Sequence, residues 1–308
     1  MSDDSENSIA SAFAREALRE QRASRRWNNF FKGLFFLYLI VLLVVSWPNF
    51  APRGLFSDDK ITALVDLQGV IASDSQASAD VIVTGLRAAF EDPNTAGVIL
   101  RINSPGGSPV QSGYINDEIH RLKAEHEGIP MIAVIQDIGA SGGYYVAVAA
   151  DEIYADKSSI VGSIGVRMDG FGFVESMQKL GIERRLLTAG ENKGFLDPFA
   201  PLKQDDVLHV NSLLGEIHQQ FIDTVRKGRG DRLGDSPELF SGYVWSGAKG
   251  LELGLIDALG SAGYVAREII GAEDIVDFTP RRTVLDQFAR KVGASFSDKI
   301  FSNPMKLF

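Results

Sequence analysis

The chain has 308 residues, 45% hydrophobic and 23% charged, which is ordinary for a globular protein with one large domain or two small ones. Its formal net charge of -9 argues against a nucleic-acid partner, because nothing offsets the repulsion of the phosphates. The absence of cysteine excludes a disulfide framework, a thiolate nucleophile and a cysteine-ligated metal, and is compatible with either redox compartment.

The N-terminal region predicts a membrane anchor. Residues 1–28 form a polar leader that ends in a cluster of arginines, and the predicted span, residues 29–47, carries one charge, Lys32, which is near enough to the edge to snorkel. As a helix, the eighteen residues Phe30–Trp47 would span about 27 Å, the thickness of the hydrocarbon layer. The charges that follow the span nearly cancel. The positive-inside rule therefore predicts a single pass through the inner (cytoplasmic) membrane, with the N-terminus in the cytoplasm and the body periplasmic or otherwise extracytoplasmic.

A cleaved signal peptide is the alternative interpretation of the same residues. The polar leader is long for a signal peptide, and no clear A-x-A site follows the apolar stretch. The sequence therefore favours an uncleaved anchor that contacts the lipid bilayer through residues 29–47.

Beyond a linker at residues 48–60, strand and helix patterns alternate through residues 61–272. The predicted strands are Ile61–Leu67, Gly97–Ile102, Met131–Gln136, Ile153–Ala155, Ile160–Val166, Glu183–Leu187 and Leu255–Asp257. The predicted helices are Ala79–Phe90, Val110–Glu125, Tyr144–Ala150, Phe173–Leu180, Asp205–Lys227, Ser246–Leu253 and Ala262–Ile270. This alternation predicts an α/β fold with right-handed βαβ units and a mostly parallel sheet. The tail, residues 273–308, places four apolar residues at helical spacing and is predicted to be helical.

The stretch from Gly139 to Gly143 carries the strongest catalytic signal. It follows a buried strand and precedes an apolar helix, so Ser141 stands at a strand–turn–helix junction with small residues around it. Gly-x-Ser-x-Gly in this context is typical of a nucleophile, and the first N–H groups of the helix are free to stabilise an oxyanion. The alternative is a serine that caps the helix.

A second glycine loop follows the strand at Gly97–Ile102. Residues 103–109 lack the Gly-Lys-Ser/Thr of a phosphate loop, but Gly106 and Gly107 allow close backbone approach to a ligand. Loops at the carboxyl ends of parallel strands gather at one edge of the sheet. We therefore expect this loop to face Ser141 and to supply oxyanion-hole donors; the alternative is a simple tight turn.

A serine nucleophile needs a base. The four histidines, His120, His126, His209 and His218, all lie in or beside predicted helices, where a solvated residue is the more ordinary role. A lysine made neutral by burial is the other option, and Lys193 lies in a loop among glycine and apolar residues. From the residues alone, Lys193 is not separable from the other lysines of the middle region.

Several motifs occur in the order seen in signal peptide peptidase A. They are Ser104-Pro105-Gly106-Gly107, Gly139-Ala140-Ser141-Gly142-Gly143-Tyr144-Tyr145, Val161-Gly162-Ser163-Ile164-Gly165-Val166, Gly190–Gly194, Ser241-Gly242-Tyr243-Val244-Trp245-Ser246-Gly247 and Leu253-Gly254-Leu255-Ile256-Asp257. The chain resembles a short-form bacterial member of that family over about residues 60–270. The resemblance implies a crotonase/Clp-protease-like fold of repeated ββα units, preceded by one transmembrane helix.

The resemblance also implies a serine endopeptidase with a Ser–Lys dyad. On it, Ser141 is the nucleophile, Lys193 the general base and Ser163 the hydrogen-bond partner of the lysine; Gly106 or Gly107, with Gly142, supplies the oxyanion hole. It further implies an octameric homo-oligomeric ring whose sites are completed between neighbours. The substrates are expected to be apolar peptides, such as remnant signal peptides, and no metal or other cofactor is needed.

Three other functions remain possible from the sequence. An α/β-hydrolase-type esterase would pair Ser141 with a late histidine, His209 or His218. A non-catalytic crotonase-like membrane scaffold would need no nucleophile. An acyl-CoA enzyme of crotonase type is disfavoured by the extracytoplasmic side, where CoA is scarce.

Overall fold

The computed structural model describes residues 25–42 and 59–280, in two units that divide at Asp58. Within the first unit, residues 25–42 form helix α1, and its side chains are exposed. In these two described ranges, no helix combines the length and the hydropathy needed to cross a bilayer. The rest of the predicted leader, the end of the predicted span (43–47), most of the linker (48–58) and the tail from residue 281 lie outside the described residues.

The second unit is an α/β fold around an eight-stranded sheet, as the sequence predicts. The sheet runs β6-β5-β3-β2-β1-β8, and β4 pairs with both β3 and β7. The strands are β1 Ile61–Gln68, β2 Thr95–Ser104, β3 Met131–Ala140, β4 Glu152–Ala155, β5 Ile160–Gly162, β6 Val244–Ser246, β7 Ala258–Leu259 and β8 Ile275–Asp277. Over residues 59–280 every pairing is parallel except that of β5 with β6.

Seven α-helices and one 3-10 helix flank or follow the strands of this unit. The α-helices are α2 Ala79–Glu91, α3 Pro109–Glu125, α4 Gly142–Ala147, α5 Val174–Lys179, α6 Gln204–Arg229, α7 Gly247–Glu252, and α8 Ala262–Tyr264, which continues as a π-helical turn at Val265–Ile270; the 3-10 helix is Gly230–Arg232. Helix α3 begins with Ser108 as its N-cap and Pro109 at its first position, where a missing N–H is harmless.

The sheet has apolar side chains on both faces, as parallel sheets require. On one face the inward residues of β1, β2 and β3 pack with α2, α3 and α4 in the main core. On the other face a smaller cluster includes Leu64, Ile99 and Ile132, and the turn after α8 packs against it through Val265. This burial fixes the carboxyl ends of β2 and β3 side by side, with Ser104 opposite Gly139.

Several element boundaries differ from the sequence prediction. Strand β3 runs on through Gly139 and Ala140 instead of ending at Gln136, because these residues pair with Val161 and Gly162 of β5. Helix α4 begins at Gly142, two residues earlier than predicted, and β5 ends at Gly162.

Two of the predicted strands are not formed. Residues Glu183–Leu187 are exposed and have no strand partner in the described sheet, and the sheet is joined at Ala258–Leu259 instead of Leu255–Asp257. Strand β8 lies past residue 272, so the sheet includes part of the segment that the sequence assigns to the tail.

A buried ion pair joins the end of α6 to the segment before β7. Arg229 donates to both carboxylate oxygens of Asp257, at 2.7 and 2.9 Å, and its side chain is almost fully buried. The Ile153 N–H donates to the same carboxylate at 2.7 Å. Burial raises the pKa of Asp257, but the hydrogen bonds from Arg229 and Ile153 and the charges of Arg229 and Arg232 outweigh it, so the pKa lies below its ordinary value.

Asp257→Asn removes the charge and leaves the Arg229 guanidinium buried without a counter-ion. We expect the free energy of unfolding to fall by about 3 kcal/mol, measured by urea denaturation at neutral pH. Glu252→Gln is the matched control, because it breaks the exposed pair of Glu252 with Lys249 and is expected to change stability by less than about 0.5 kcal/mol. Equal effects of the two variants would contradict the account.

The same pair contributes to acid sensitivity. Because the folded-state pKa of Asp257 is depressed, its stabilisation is fully present above the unfolded pKa, near 3.9 by ordinary values, and is lost as the pH falls through the lower folded value. The stability difference between the native protein and Asp257→Asn is therefore expected to shrink below about pH 4.

Candidate active site

Ser141 connects strand β3 to helix α4 in a backbone conformation that serines rarely adopt. Its φ is 52° and its ψ is -122°. The Ser141 N–H donates to the Gly162 carbonyl at 2.8 Å, and the Ser141 carbonyl accepts from the Tyr145 N–H at 2.9 Å. The half-buried side chain makes no capping hydrogen bond, so its hydroxyl is not used to hold the helix.

This backbone conformation costs about 1–3 kcal/mol and persists only where the surroundings impose it. The pairing of Ala140 with Gly162 and the bond from Ser141 to the Gly162 carbonyl impose it here. Strain of this kind is concentrated at functional sites, because it turns a side chain out of the path of the regular structure.

The glycine loop after β2 lies directly against Ser141. A Cβ atom on Gly106, where φ is +98°, would lie 2.6 Å from the Gly142 nitrogen and 2.7 Å from the Ser141 Cβ. A Cβ on Gly142 would lie 2.5 Å from the Ser112 Oγ. Both positions therefore need glycine, and the two backbones meet without an intervening side chain.

Two backbone N–H groups beside Ser141 are unused. The Gly106 N–H donates to the Ser104 Oγ at 3.1 Å, which removes it from the candidate oxyanion hole. A bridge between Ile71 and Gly107 uses the Gly106 carbonyl and the Ser108 N–H, so the Gly107 N–H stays outside it. Within residues 59–280, neither the Gly107 nor the Gly142 N–H has an acceptor. Of the two glycines of this loop, Gly107 is therefore the one whose N–H is free in the described residues.

Ser163 lies one residue beyond the carbonyl that holds the Ser141 backbone. Its φ is also positive, 54°, and its N–H donates to the Tyr243 carbonyl at 2.7 Å. In the described part of the chain, its hydroxyl has no hydrogen-bond partner. The two half-buried serines are therefore joined through the peptide of Gly162.

Lys193 lies in a turned loop, where its N–H donates to the Gly190 carbonyl at 3.1 Å. Its side chain is exposed, and its amine makes no hydrogen bond or ion pair with any of residues 59–280. The loop is tied to the start of α6, because the Leu196 N–H donates to the Asp206 carboxylate at 3.2 Å. A single chain therefore does not give Lys193 the burial that a neutral amine needs.

The four histidines have other partners. The Nε2 of His218 is 3.1 Å from the Ile164 carbonyl oxygen, and the ring of His209 lies edge-on to that of Phe195. The ring of His126 packs on Phe90. Burial, then the charges of Lys123 and Lys227, lower the pKa of His120. Among the described residues, none of the four hydrogen-bonds Ser141.

Some residues of the site were not predicted as such. Ser104 and Ser112 are buried; Ser104 accepts the Gly106 N–H, and the Ser112 hydroxyl occupies the space that a Gly142 side chain would need. Trp245 packs against Gly162, and its indole nitrogen is buried without a partner in the described chain. Ser104 belongs to the Ser-Pro-Gly-Gly motif, so the sequence could have indicated it. No sequence motif indicates Ser112, whose role depends on contacts across the sheet edge.

A strained serine at a strand–helix junction, beside two free backbone N–H groups, defines an α/β protein with the site architecture of a serine hydrolase. Peptidase family S49 matches residues 123–274. A putative protease of Synechocystis is 30% identical over 67% of this chain and 72% of its own length. The chain belongs to this family, that of signal peptide peptidase A.

Other relatives match shorter parts of longer proteins. A putative signal peptide peptidase SppA of Enterococcus faecium is 30% identical over 66% of this chain and 61% of its own length. The Na(+)/H(+) antiporter NhaA of Brucella melitensis is 50% identical over 60% of this chain, which spans only 25% of that protein. Because that match covers a quarter of the antiporter, the transport named for the whole is not carried over.

One solved structure similar to this fold is the 1510-N membrane-bound stomatin-specific protease. It is 14% identical, with a TM-score of 0.46, and the similarity covers 77% of this chain and 99% of that one.

Gly106→Ala places a methyl group between Ser141 and Gly142. We expect labelling of Ser141 by a fluorophosphonate to slow roughly 100-fold, because the nucleophile and the oxyanion donors are pushed apart. Gly113→Ala is the matched control: it lies in α3 with nothing within 4 Å, and should label normally. Normal labelling of Gly106→Ala would show that this contact does not shape the site.

Proposed function

We propose that the protein is a membrane-anchored serine endopeptidase that cleaves apolar peptides with a Ser141–Lys193 dyad. The observation that carries the proposal is the strained Ser141, whose hydroxyl does not cap helix α4 and lies beside the free Gly107 and Gly142 N–H groups. Membership of Peptidase family S49, and relatives named as proteases, support the same chemistry.

The chemistry begins with attack of the Ser141 oxygen on a peptide carbonyl. The carbonyl oxygen becomes an oxyanion, and the Gly107 and Gly142 N–H groups stabilise it where the charge develops. Because these donors belong to backbone fixed by the sheet edge and by α4, they need no reorganisation during the reaction.

Lys193 acts as the base in its neutral form. It accepts the Ser141 proton, and the resulting Lys193 ammonium then protonates the leaving amine. Lys193 acts as base again when water hydrolyses the acyl-enzyme. The Ser163 hydroxyl, which has no partner within residues 59–280, is available to accept a hydrogen bond from the amine. An amine is neutral near neutral pH only when it is desolvated, which its exposed position in one chain does not provide.

Assembly supplies the missing burial. Residues 168–202, here called the apolar arm, include Lys193 and expose large apolar side chains. These are Met168, Phe171, Phe173, Leu180, Ile182, Leu186, Leu187, Phe195, Phe199 and Leu202. An exposed set of this size is typical of a protein interface. We infer a homo-oligomeric ring, octameric as in short-form relatives of crotonase/Clp-protease architecture, in which a neighbouring protomer covers the arm and completes the site.

The proposed location follows from the leader and the apolar residues 29–47. With the N-terminus in the cytoplasm, the protease domain is held beside the outer leaflet of the inner membrane. Apolar peptides released into the bilayer, remnant signal peptides among them, are the substrates within reach. No metal or nucleotide takes part in the proposed steps.

The esterase alternative needs a histidine at Ser141. The Nε2 of His218 already faces the Ile164 carbonyl, and His209 packs on Phe195. These contacts favour the lysine-dependent mechanism over a late histidine base.

Ser141→Ala and Lys193→Ala are each expected to lower kcat for an apolar peptide by at least about 10³-fold, and the double variant no further, because the two groups act as one unit. The measurement is hydrolysis by the detergent-solubilised full-length oligomer. Lys203→Ala, an exposed lysine at the start of α6, is the control and should keep its turnover. Full activity of Lys193→Ala would exclude the dyad.

Leu187→Glu tests the role of the apolar arm, because its side chain is 96% exposed in the single chain. A buried carboxylate at the interface is expected to disperse the oligomer and to lower turnover in parallel, measured by light scattering and peptide hydrolysis. Gln76→Glu adds the same charge at an exposed position outside the arm, in the loop before α2, and should assemble normally. Verified monomers with unchanged turnover would contradict assembly-dependent catalysis.

A further inference from the structure

The segment from Gly162 to Gly165 starts at the last residue of β5 and contains both Ser163 and the carbonyl that accepts the Ser141 N–H. The Gly162 carbonyl accepts the Ser141 N–H, and the Ser163 N–H donates to the Tyr243 carbonyl. Gly165 packs close to Gly242: a Cβ atom added to Gly165 would lie 3.1 Å from the α-carbon of Gly242. The strained φ of Ser163 therefore depends on contacts from outside the strand.

Helix α6 supplies the next contact of this segment. The His218 Nε2 lies 3.1 Å from the Ile164 carbonyl oxygen. A carbonyl only accepts, so Nε2 carries the hydrogen and donates it. This holds for the neutral Nε2–H form and for the imidazolium alike. The nitrogen is thereby occupied in a backbone contact one residue from Ser163.

The same helix is packed on the helix that follows Ser141. The rings of Phe221 and Tyr145 are 5.1 Å apart, and the Thr224 and Tyr145 hydroxyls are hydrogen-bonded at 3.1 Å. Farther along, Gly228 lies so close to the Val148 carbonyl that any side chain there would clash. Helix α6 thus contacts α4, which begins after Ser141, and the segment that carries Ser163.

We propose that His218 is a positioning residue that fixes Ser163 relative to Ser141. Its hydrogen bond ties the Ile164 carbonyl to α6, which is itself held against α4. The Ser163 hydroxyl is then kept at one place beside the nucleophile, where it can meet the amine of Lys193. This role rests on the proposed function, since it takes Ser163 as the hydrogen-bond partner of Lys193. The hydrogen bond from His218 to the Ile164 carbonyl does not depend on that function.

The test uses His218→Ala and His218→Gln in the full-length, detergent-solubilised protein. Glutamine places an amide N–H donor near the position of Nε2, so it can restore the bond to the carbonyl. We expect His218→Ala to lower kcat roughly 10-fold with KM changed less than about twofold. A misplaced Ser163 hydroxyl would weaken the stabilisation of the transition state but not the binding of the peptide. His218→Gln should recover kcat to within about threefold.

Hydrogen exchange of the amides at residues 162–166 gives a readout that does not depend on peptidase activity. Faster exchange in His218→Ala, with native exchange in His218→Gln, supports the positioning role. The neighbouring exposed Gln219→Ala is the matched control for changes in α6 and should behave as the native protein does.

Unchanged kcat and unchanged exchange in His218→Ala would overturn the proposal. So would a folded His218→Gln that stays as slow as alanine, because an imidazole would then be needed for more than donation to a carbonyl. If His218→Ala does not fold, a slow His218→Gln with native exchange overturns it, and an active one supports it. Full turnover by Ser141→Ala would instead refute the proposed function. The exchange result would still show whether the hydrogen bond from His218 holds residues 162–166 against α6.

Discussion

The site depends on one hydrogen bond, from the Ser141 N–H to the Gly162 carbonyl at 2.8 Å. It holds a serine at positive φ where the sheet ends, and so turns the hydroxyl away from the helix that it would otherwise cap. The cost, about 1–3 kcal/mol, is met by the packing of the strands on either side. Positions 106 and 142 need glycine, because a side chain at 106 would meet the Ser141 Cβ and the Gly142 nitrogen, and one at 142 would meet the Ser112 hydroxyl.

A second constraint is helix α6, which contacts three segments beside the site: the Lys193 loop, the Ser163 segment and helix α4. Its start holds the Lys193 loop through Asp206 and its middle meets the Ser163 segment. Its end carries Arg229 into the buried pair with Asp257. These contacts link the loop, the segment and the core to one rigid element. In the proposed mechanism, the exposed apolar arm accounts for what one chain lacks, because its assembly would bury the segment that contains Lys193.

Much of the fold could be predicted from the sequence. The apolar runs that form β1, β2 and β3 and the periodic stretches that form α2, α3 and α6 gave a parallel α/β sheet. The strand predictions that were wrong concern residues whose conformation depends on partners distant in the sequence. Gly139 and Ala140 extend β3 only because β5 pairs with them, and Glu183–Leu187 has strand-like residues but no partner in the described sheet. Sequence alone could not choose between Gly106 and Gly107, because the choice is made by the Ser104 hydroxyl.

The proposed mechanism requires that assembly between neighbouring protomers bring the Lys193 amine to Ser141. Co-assembly of inactive Ser141→Ala and Lys193→Ala chains measures whether it does, with mixing verified by separate affinity tags on the two chains. Mixed oligomers should regain turnover, because some sites then combine an intact serine from one protomer with an intact lysine from the next. Mixed oligomers that remain inactive would exclude a dyad shared between protomers.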